Sequence, residues 1–229
     1  MTLNIRALIF DMDGVLADTP PLHYESWRRL AQDEGIDFGW EQHEAMQGLV
    51  RRHSLEVFLD GKPVTESQAQ AMMDRKNAYF VESLQNLTSA DRFPGTAEIM
   101  QEAHAAGIKV GLGSSSQNAR GVVEKLGLLQ YFDVIADGYT VKNNKPAPDI
   151  FLWVANQLKI APSEAIVFED SVAGMQAAIA GGFWRVGLGG KHGPGAHVAL
   201  NLLSEVNLAT LLQLLNEVAQ HQPPANGHP

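Results

Sequence analysis

Short apolar runs recur along the chain, and each stops abruptly at polar or acidic residues. Ala7-Leu8-Ile9-Phe10 ends at Asp11, residues 108–112 end at Gly113-Ser114, and residues 165–168 end at Glu169-Asp170. Four or five apolar residues in a row are too few for an amphipathic helix and lack its spacing, so these runs read as strands of a parallel sheet covered on both faces. Residues 134–136 and the stretch near 184–186 continue the series, and helical patterns lie between them, near 96–106, up to 126, near 150–158 and up to 180. Such alternation predicts an α/β fold: a parallel sheet with right-handed crossovers.

The alternation stops after Gly14 and resumes at Phe93-Pro94-Gly95, and the segment between has helical pattern only. Pro20-Pro21 can open a helix in which His23 and Trp27, four residues apart, share a face. Residues 66–84 carry a second long helical pattern through Ala69, Met72, Met73, Tyr79 and Phe80. Residues 18–92 therefore read as an inserted α-helical domain on a core formed by residues 1–17 and 93–220. Residues 221–229, rich in Pro, Gly and polar side chains, read as a disordered tail. Leu200, Leu203, Leu208, Leu211 and Leu212 read as one face of a helix packed on the core.

The chain has 229 residues, 45% of them apolar, which is enough for a sizeable core. Its formal charge of −9 argues against nucleic acid or an anionic membrane as a partner. The absence of cysteine excludes disulfides, thiolate nucleophiles and zinc-thiolate sites. No apolar stretch approaches the ~20 residues of a membrane span and no signal-peptide pattern opens the chain, so a cytoplasmic protein is expected.

Candidate chemistry gathers at the strand ends. In Asp11-Met12-Asp13-Gly14 the two carboxylates are alternate residues and would share a face. One could attack while the other moves a proton, and together they could hold a divalent cation; a plain Asp-Gly turn has the same letters. Ser114-Ser115-Ser116-Gln117-Asn118 puts hydroxyls and amides where a helix begins, a place that favours phosphate oxygens. Lys145 precedes Pro146-Ala147-Pro148-Asp149 and the next helix, the alternative being a solvated surface lysine. Gly187-Leu188-Gly189-Gly190 lacks the spacing of a dinucleotide or P-loop motif and receives no role, nor do His192 and His197 in the same loop.

The ordered set of DxDG, a serine after the next strand, Lys-Pro and Glu-Asp resembles the haloacid dehalogenase superfamily of phosphoryl-transfer enzymes over nearly the whole chain. Within it the chain is similar to the β-phosphoglucomutase-like subgroup. The shared residues are Asp18-Thr19 with His23 and Trp27, Gly48 with Arg51, Ser54-Leu55, Arg75-Lys76-Asn77, residues 114–118, and Lys145 to Phe151. The resemblance implies a Rossmann-like, three-layer α/β/α core with the helical cap above it. It further implies Asp11 as the nucleophile that forms an aspartyl phosphate and Asp13 as general acid and base. Asp11 is then expected ionised, and Asp13 protonated for part of the cycle.

Ser114 and Lys145 would orient the phosphoryl oxygens. His23, Trp27, Gly48, Arg51, Ser54 and Lys76 from the cap would bind substrate together with Ser115, Ser116, Gln117 and Asn118, with Arg51 gripping the phosphate that is not transferred. Asp11, Asp13 (through its backbone carbonyl), Glu169 and Asp170 would hold Mg²⁺, which four converging carboxyl groups require and which suits hard oxygen ligands. The substrate is expected to be a small phosphorylated sugar, and the protein a monomer. Two departures stand out: Gln47-Gly48-Leu49-Val50-Arg51 against the subgroup's Lys-Gly-x-Ser-Arg, and Gln117 against a lysine. Both fall where sugar or distal phosphate would bind, so they bear on the choice of sugar and leave the chemistry intact. The expected activity is that of a phosphohexomutase, with a sugar-phosphate phosphatase second and a silent phosphosugar-binding regulator third.

Overall fold

The computed structural model describes residues 3–221. Among them, β1 (Ala7–Phe10), β2 (Lys109–Gly113), β3 (Val134–Ala136), β4 (Ala165–Glu169), β5 (Trp184–Leu188) and β6 (Val198–Leu200) form one parallel sheet in the order β3-β2-β1-β4-β5-β6. β1 is paired on both sides, which is why its four residues are all buried and apolar. The register sets Phe10 beside Leu112 on one side and Phe168 on the other, and the rings of Phe10 and Phe168 stack at a centroid distance of 4.4 Å. Asp11 continues the ladder by donating its N–H to the Phe168 carbonyl at 2.9 Å, and Ser114 donates likewise to Ala136 at 3.1 Å. Asp11, Ser114 and Glu169 thus emerge side by side at the carboxyl edge of the sheet, where open α/β folds place their ligand sites.

After β1 the chain forms α1 (Pro20–Glu34), α2 (Trp40–Glu44), α3 (Arg51–Leu59) and α4 (Glu66–Ser83). Pro20 stands in the first turn of α1, where its missing N–H costs nothing. Thr65 and Gln68 close a reciprocal capping box on α4. Helices α1, α3 and α4 share an apolar cluster of their own, built on Trp27, Leu30, Leu55, Phe58, Met72 and Met73.

The remaining helices are α5 (Thr96–Ala105), α6 (Ala119–Lys125), α7 (Asp149–Leu158), α8 (Val172–Ala180) and α9 (Leu208–His221). Because side chains alternate along β1, Leu8 and Phe10 pack with α5, α6 and α9, while Ala7 and Ile9 pack with α7 and α8. Helices on both faces of the parallel sheet make the three-layer, Rossmann-like architecture that the resemblance implies.

Two readings are corrected. The leucines from 200 to 212 do not share one helix: Leu200 ends β6, Leu203 opens a short 3-10 turn, and α9 starts only at Leu208. Gly187 and Leu188 belong to β5, and His197, in the loop before β6, accepts the Arg185 N–H on its Nδ1 at 3.1 Å. Of the predicted tail, His221 is the last residue of α9, and residues 222–229 lie outside the described residues. Among the described residues, no helix is long and apolar enough to cross a membrane.

Phe10→Ala should cost about 3–5 kcal/mol, as large-to-small changes in a fully buried aromatic do. Urea denaturation measures this, and an unchanged midpoint would show that the stack between β1 and β4 is not a determinant of the core.

Candidate active site

The carboxyl edge of the sheet carries a buried cationic centre. The Lys145 side chain is inaccessible, and its Nζ donates to Asp11 Oδ1 at 2.6 Å and to Glu169 Oε1 at 2.5 Å. Glu169 is fixed from its other oxygen, which accepts the Ser171 N–H and hydroxyl at 2.8 and 2.9 Å. The chain must come very close to reach this arrangement. A Cβ at Gly174 would lie 1.6 Å from Glu169 Oε1, and one at Gly14, whose φ is +73°, would lie 1.9 Å from Asp170 Oδ2.

Oxygens of Asp11, Glu169 and Asp170 lie within 4.8 Å of one another, an acidic cluster able to hold a metal ion. The Asp13 carboxylate is not one of that group, because it accepts a hydrogen bond from the Thr19 hydroxyl at 2.5 Å and faces His23 Nε2 at 3.5 Å. Hard oxygens alone, at this spacing and with Lys145 in contact, suit a hard divalent cation such as Mg²⁺.

The protonation preferences support the same fit. Burial pushes the Asp11 carboxyl up to about 7 against the pull of Lys145, with Glu169 and Asp13 adding to the rise. Burial likewise raises Asp170 well above the usual carboxylate range, reinforced by Glu169 and Asp11. For Lys145, burial favours the neutral form, but Asp11 and Glu169 outweigh it and raise its pKa. Burial would also raise Asp13, yet His23, Thr19 and Lys76 hold it below its usual value. Without a cation at the cluster, Asp11 thus favours its protonated form and Asp13 its ionised form. Burial is the main reason at Asp11, with Glu169 and Asp13 adding to it against Lys145, and a divalent cation beside Asp11 would favour the ionised form instead.

Above the sheet edge, Asp11, Asp13 and Asp170 line a cavity together with His23, Trp27, Gly48, Arg51, Ser54, Lys76, Ser115, Ser116, Gln117 and Asn118. Lys76 is buried among Trp27 and Phe80, with its Nζ 5.3 and 4.9 Å from their ring centroids. Its Nζ lies 2.8 Å from His23 Nδ1, and as an ammonium it donates there, so His23 presents Nε2–H toward Asp13. Burial, helped by Arg51 and opposed by Asp13, brings Lys76 down to about 7. Burial and Lys76 also lower His23, with Asp13 opposing. Arg51 donates to Asn77 Oδ1 at 2.8 Å, and Asn118 donates to the same atom at 2.9 Å. Ser115 donates its hydroxyl to the Gly48 carbonyl at 2.9 Å, joining the loop after β2 to the loop before α3.

Ser114, Lys145 and Glu169 lie outside the cavity wall. Ser114 is 1% exposed and accepts the Ser116 N–H at 3.1 Å. Ser54 turns its hydroxyl to the Val50 carbonyl at 3.2 Å while still bordering the cavity. The sequence reading omitted Pro20, His43, Met46 and Leu49 from the site, and it gave the buried Thr19 no role. The one available signal was Thr19, six residues after Asp13 and just ahead of the proline-led helix. His43 lies in a five-residue helix, too short to show periodicity.

Buried acids opposite a lysine at the carboxyl edge of a parallel sheet, under a helical insertion, define a family. The chain belongs to the haloacid dehalogenase-like hydrolases, whose family model matches residues 5–182, and it is an enzyme of that family. Among curated relatives, the β-phosphoglucomutase of Bacillus subtilis (strain 168) is 34% identical over 212 residues, 90% of this chain and 94% of the relative. The phosphorylated carbohydrates phosphatase of Thermotoga maritima is also 34% identical, over 187 residues, 80% of this chain and 84% of the relative. A crystal structure of β-phosphoglucomutase from Clostridium difficile superimposes with a TM-score of 0.88 at 34% identity, covering 93% of this chain and 98% of the other.

A carboxyl whose folded pKa is raised stabilises the fold below its unfolded value, here 3.8, and that stabilisation is lost as pH rises through about 7. In EDTA, wild-type stability should therefore fall relative to Asp11→Asn between about pH 4 and 7, and saturating MgCl₂ should remove the difference. Thermal melts of both proteins measure this. Parallel pH profiles in EDTA would contradict it.

Proposed function

We propose that this chain is a Mg²⁺-dependent phosphohexomutase that interconverts β-D-glucose 1-phosphate and glucose 6-phosphate through an aspartyl phosphate and a 1,6-bisphosphate. Residues 18–92 would serve as the cap and residues 1–17 and 93–220 as the core. One observation carries the reading. The Asp13 carboxylate is held by Thr19 and faces His23, which Lys76 holds in turn, so side chains of the helical segment set the state of a core carboxylate. A mutase must prefer a sugar hydroxyl to water, and coupling the acid and base to cap closure achieves that preference.

In this scheme phosphorylated Asp11 gives its phosphoryl group to the 6-hydroxyl of β-glucose 1-phosphate, and Asp13 takes that hydroxyl's proton. The bisphosphate then turns over in the cavity. Asp11 attacks the phosphorus at C1, Asp13 returns its proton to the departing oxygen, and glucose 6-phosphate leaves with Asp11 phosphorylated again. Lys145 and Ser114 neutralise and orient the equatorial oxygens. Asp11, Glu169 and Asp170, with the backbone carbonyl of Asp13, would hold Mg²⁺, which would supply further positive charge to the transferring phosphoryl group. Arg51 grips the phosphate that stays on the sugar, anchored at the cavity wall by Asn77.

A sugar-phosphate phosphatase is the second reading. It is favoured by the amides of Gln47 and Gln117 in the cavity wall, which leave the sugar end with fewer cations than the mutase pattern has. The phosphatase relative at the same identity supports it too. A silent regulator is disfavoured, since it would not need the Asp11–Lys145 pair.

The reading is tested by ³¹P NMR with Mg²⁺, β-glucose 1-phosphate and a trace of the 1,6-bisphosphate. Glucose 6-phosphate is expected, and inorganic phosphate alone would give a phosphatase. Asp11→Asn should abolish phosphoenzyme formation, and Asp13→Asn should lower kcat by about 10²–10⁴-fold, the usual worth of a general acid and base. Lys76→Ala should raise the ratio of hydrolysis to transfer; an unchanged ratio would separate the His23–Lys76 pair from solvent discrimination.

A further inference from the structure

His43 lines the cavity but has no part in the scheme above. It lies on α2 and is 3% exposed, and its Nδ1 is buried with no hydrogen-bond partner among the described residues. Buried polar atoms without a partner are rare in folded proteins and call for a reason. The ring is held in place by Tyr24 and Trp40, at centroid distances of 5.6 and 5.1 Å. Its helix is braced as well: Glu44 accepts from Trp40 Nε1 at 2.9 Å and from Lys191 Nζ, in the loop after β5, at 2.6 Å.

The chemistry of the ring narrows what it can recognise. Burial, with His23 and Lys76 nearby, brings its pKa down to about 4, so the imidazole is neutral and offers one donor and one acceptor. A neutral ring is a poor partner for a phosphate, for which Arg51 and Lys145 are better suited. Met46, Gln47 and Leu49 belong to the same wall. An apolar surface with a few fixed, uncharged polar groups suits a sugar ring and its hydroxyls.

We propose that the His43 imidazole hydrogen-bonds a ring hydroxyl of the bound sugar and thereby selects the configuration at that carbon. This rests on the substrate being a phosphorylated sugar, so the test pairs sugar phosphates with acetyl phosphate, a phosphoryl donor that carries no hydroxyl. kcat/KM is measured for wild type, His43→Leu and His43→Asn on β-hexose 1-phosphates that differ by inversion of one ring hydroxyl, and on acetyl phosphate.

For His43→Leu, kcat/KM on the preferred sugar should fall about tenfold relative to acetyl phosphate, the size of one lost hydrogen bond, and the preference among epimers should flatten. His43→Asn, which keeps a donor and an acceptor, should restore part of that preference. If His43→Leu does not fold, His43→Gln and His43→Asn carry the same comparison against wild type. A wild-type ranking of epimers in His43→Leu, or an equal loss on every substrate including acetyl phosphate, overturns the assignment alone. A wild-type enzyme that turns over acetyl phosphate and no sugar phosphate overturns the substrate reading and the assignment with it.

Discussion

Everything at the sheet edge depends on the contact of Lys145 with Asp11 and Glu169. An ammonium with no solvent exposure is tolerable only beside anions, and two buried carboxylates are tolerable only beside a cation. Asp170 adds a third acid to the same space, so with all three ionised the positive charge is short by two. Burial, with the neighbouring acids adding to it, explains why Asp11 and Asp170 favour their protonated forms, and the charge deficit explains why the cluster suits a divalent ion. The close approach of the backbone to these acids explains the glycines at 14 and 174, where any side chain would displace the acids from their places.

Asp13 is governed by a different set of groups. Its carboxylate turns from the acidic cluster toward Thr19 and His23, and His23 is stacked on Phe80 at 3.9 Å and held by Lys76. Two carboxylates two residues apart therefore sit in separate environments, one set by the core and one by the helical segment. In the proposed mechanism that separation would let a single DxDG turn supply both a nucleophile and an acid/base.

Much of this was legible in the sequence because it rests on local patterns. Buried parallel strands leave short apolar runs, and the sheet's register brings the residues that follow those runs together, so Asp11, Ser114 and Glu169 could be placed at one edge before their contacts were known. The illegible parts are those that tertiary contacts decide. β6 has only three residues and sits at the sheet's end, so the leucine at 200 looked like the start of a helix. The protonation order of Asp11 and Asp13 depends on distances to Lys145, His23 and Thr19 that no spacing reveals. His43 comes from a single turn of helix whose burial is set by Tyr24 and Trp40.

The charge deficit at Asp11, Glu169 and Asp170 is tested most directly by titration calorimetry of Mg²⁺ binding near pH 6, in buffers of different ionisation enthalpy. Protons held on Asp11 and Asp170 in the metal-free protein must leave when the cation binds, so the observed enthalpy should vary with the buffer in the sense of proton release. Binding whose heat is the same in every buffer would contradict the account, because the acids would then already be ionised without the metal.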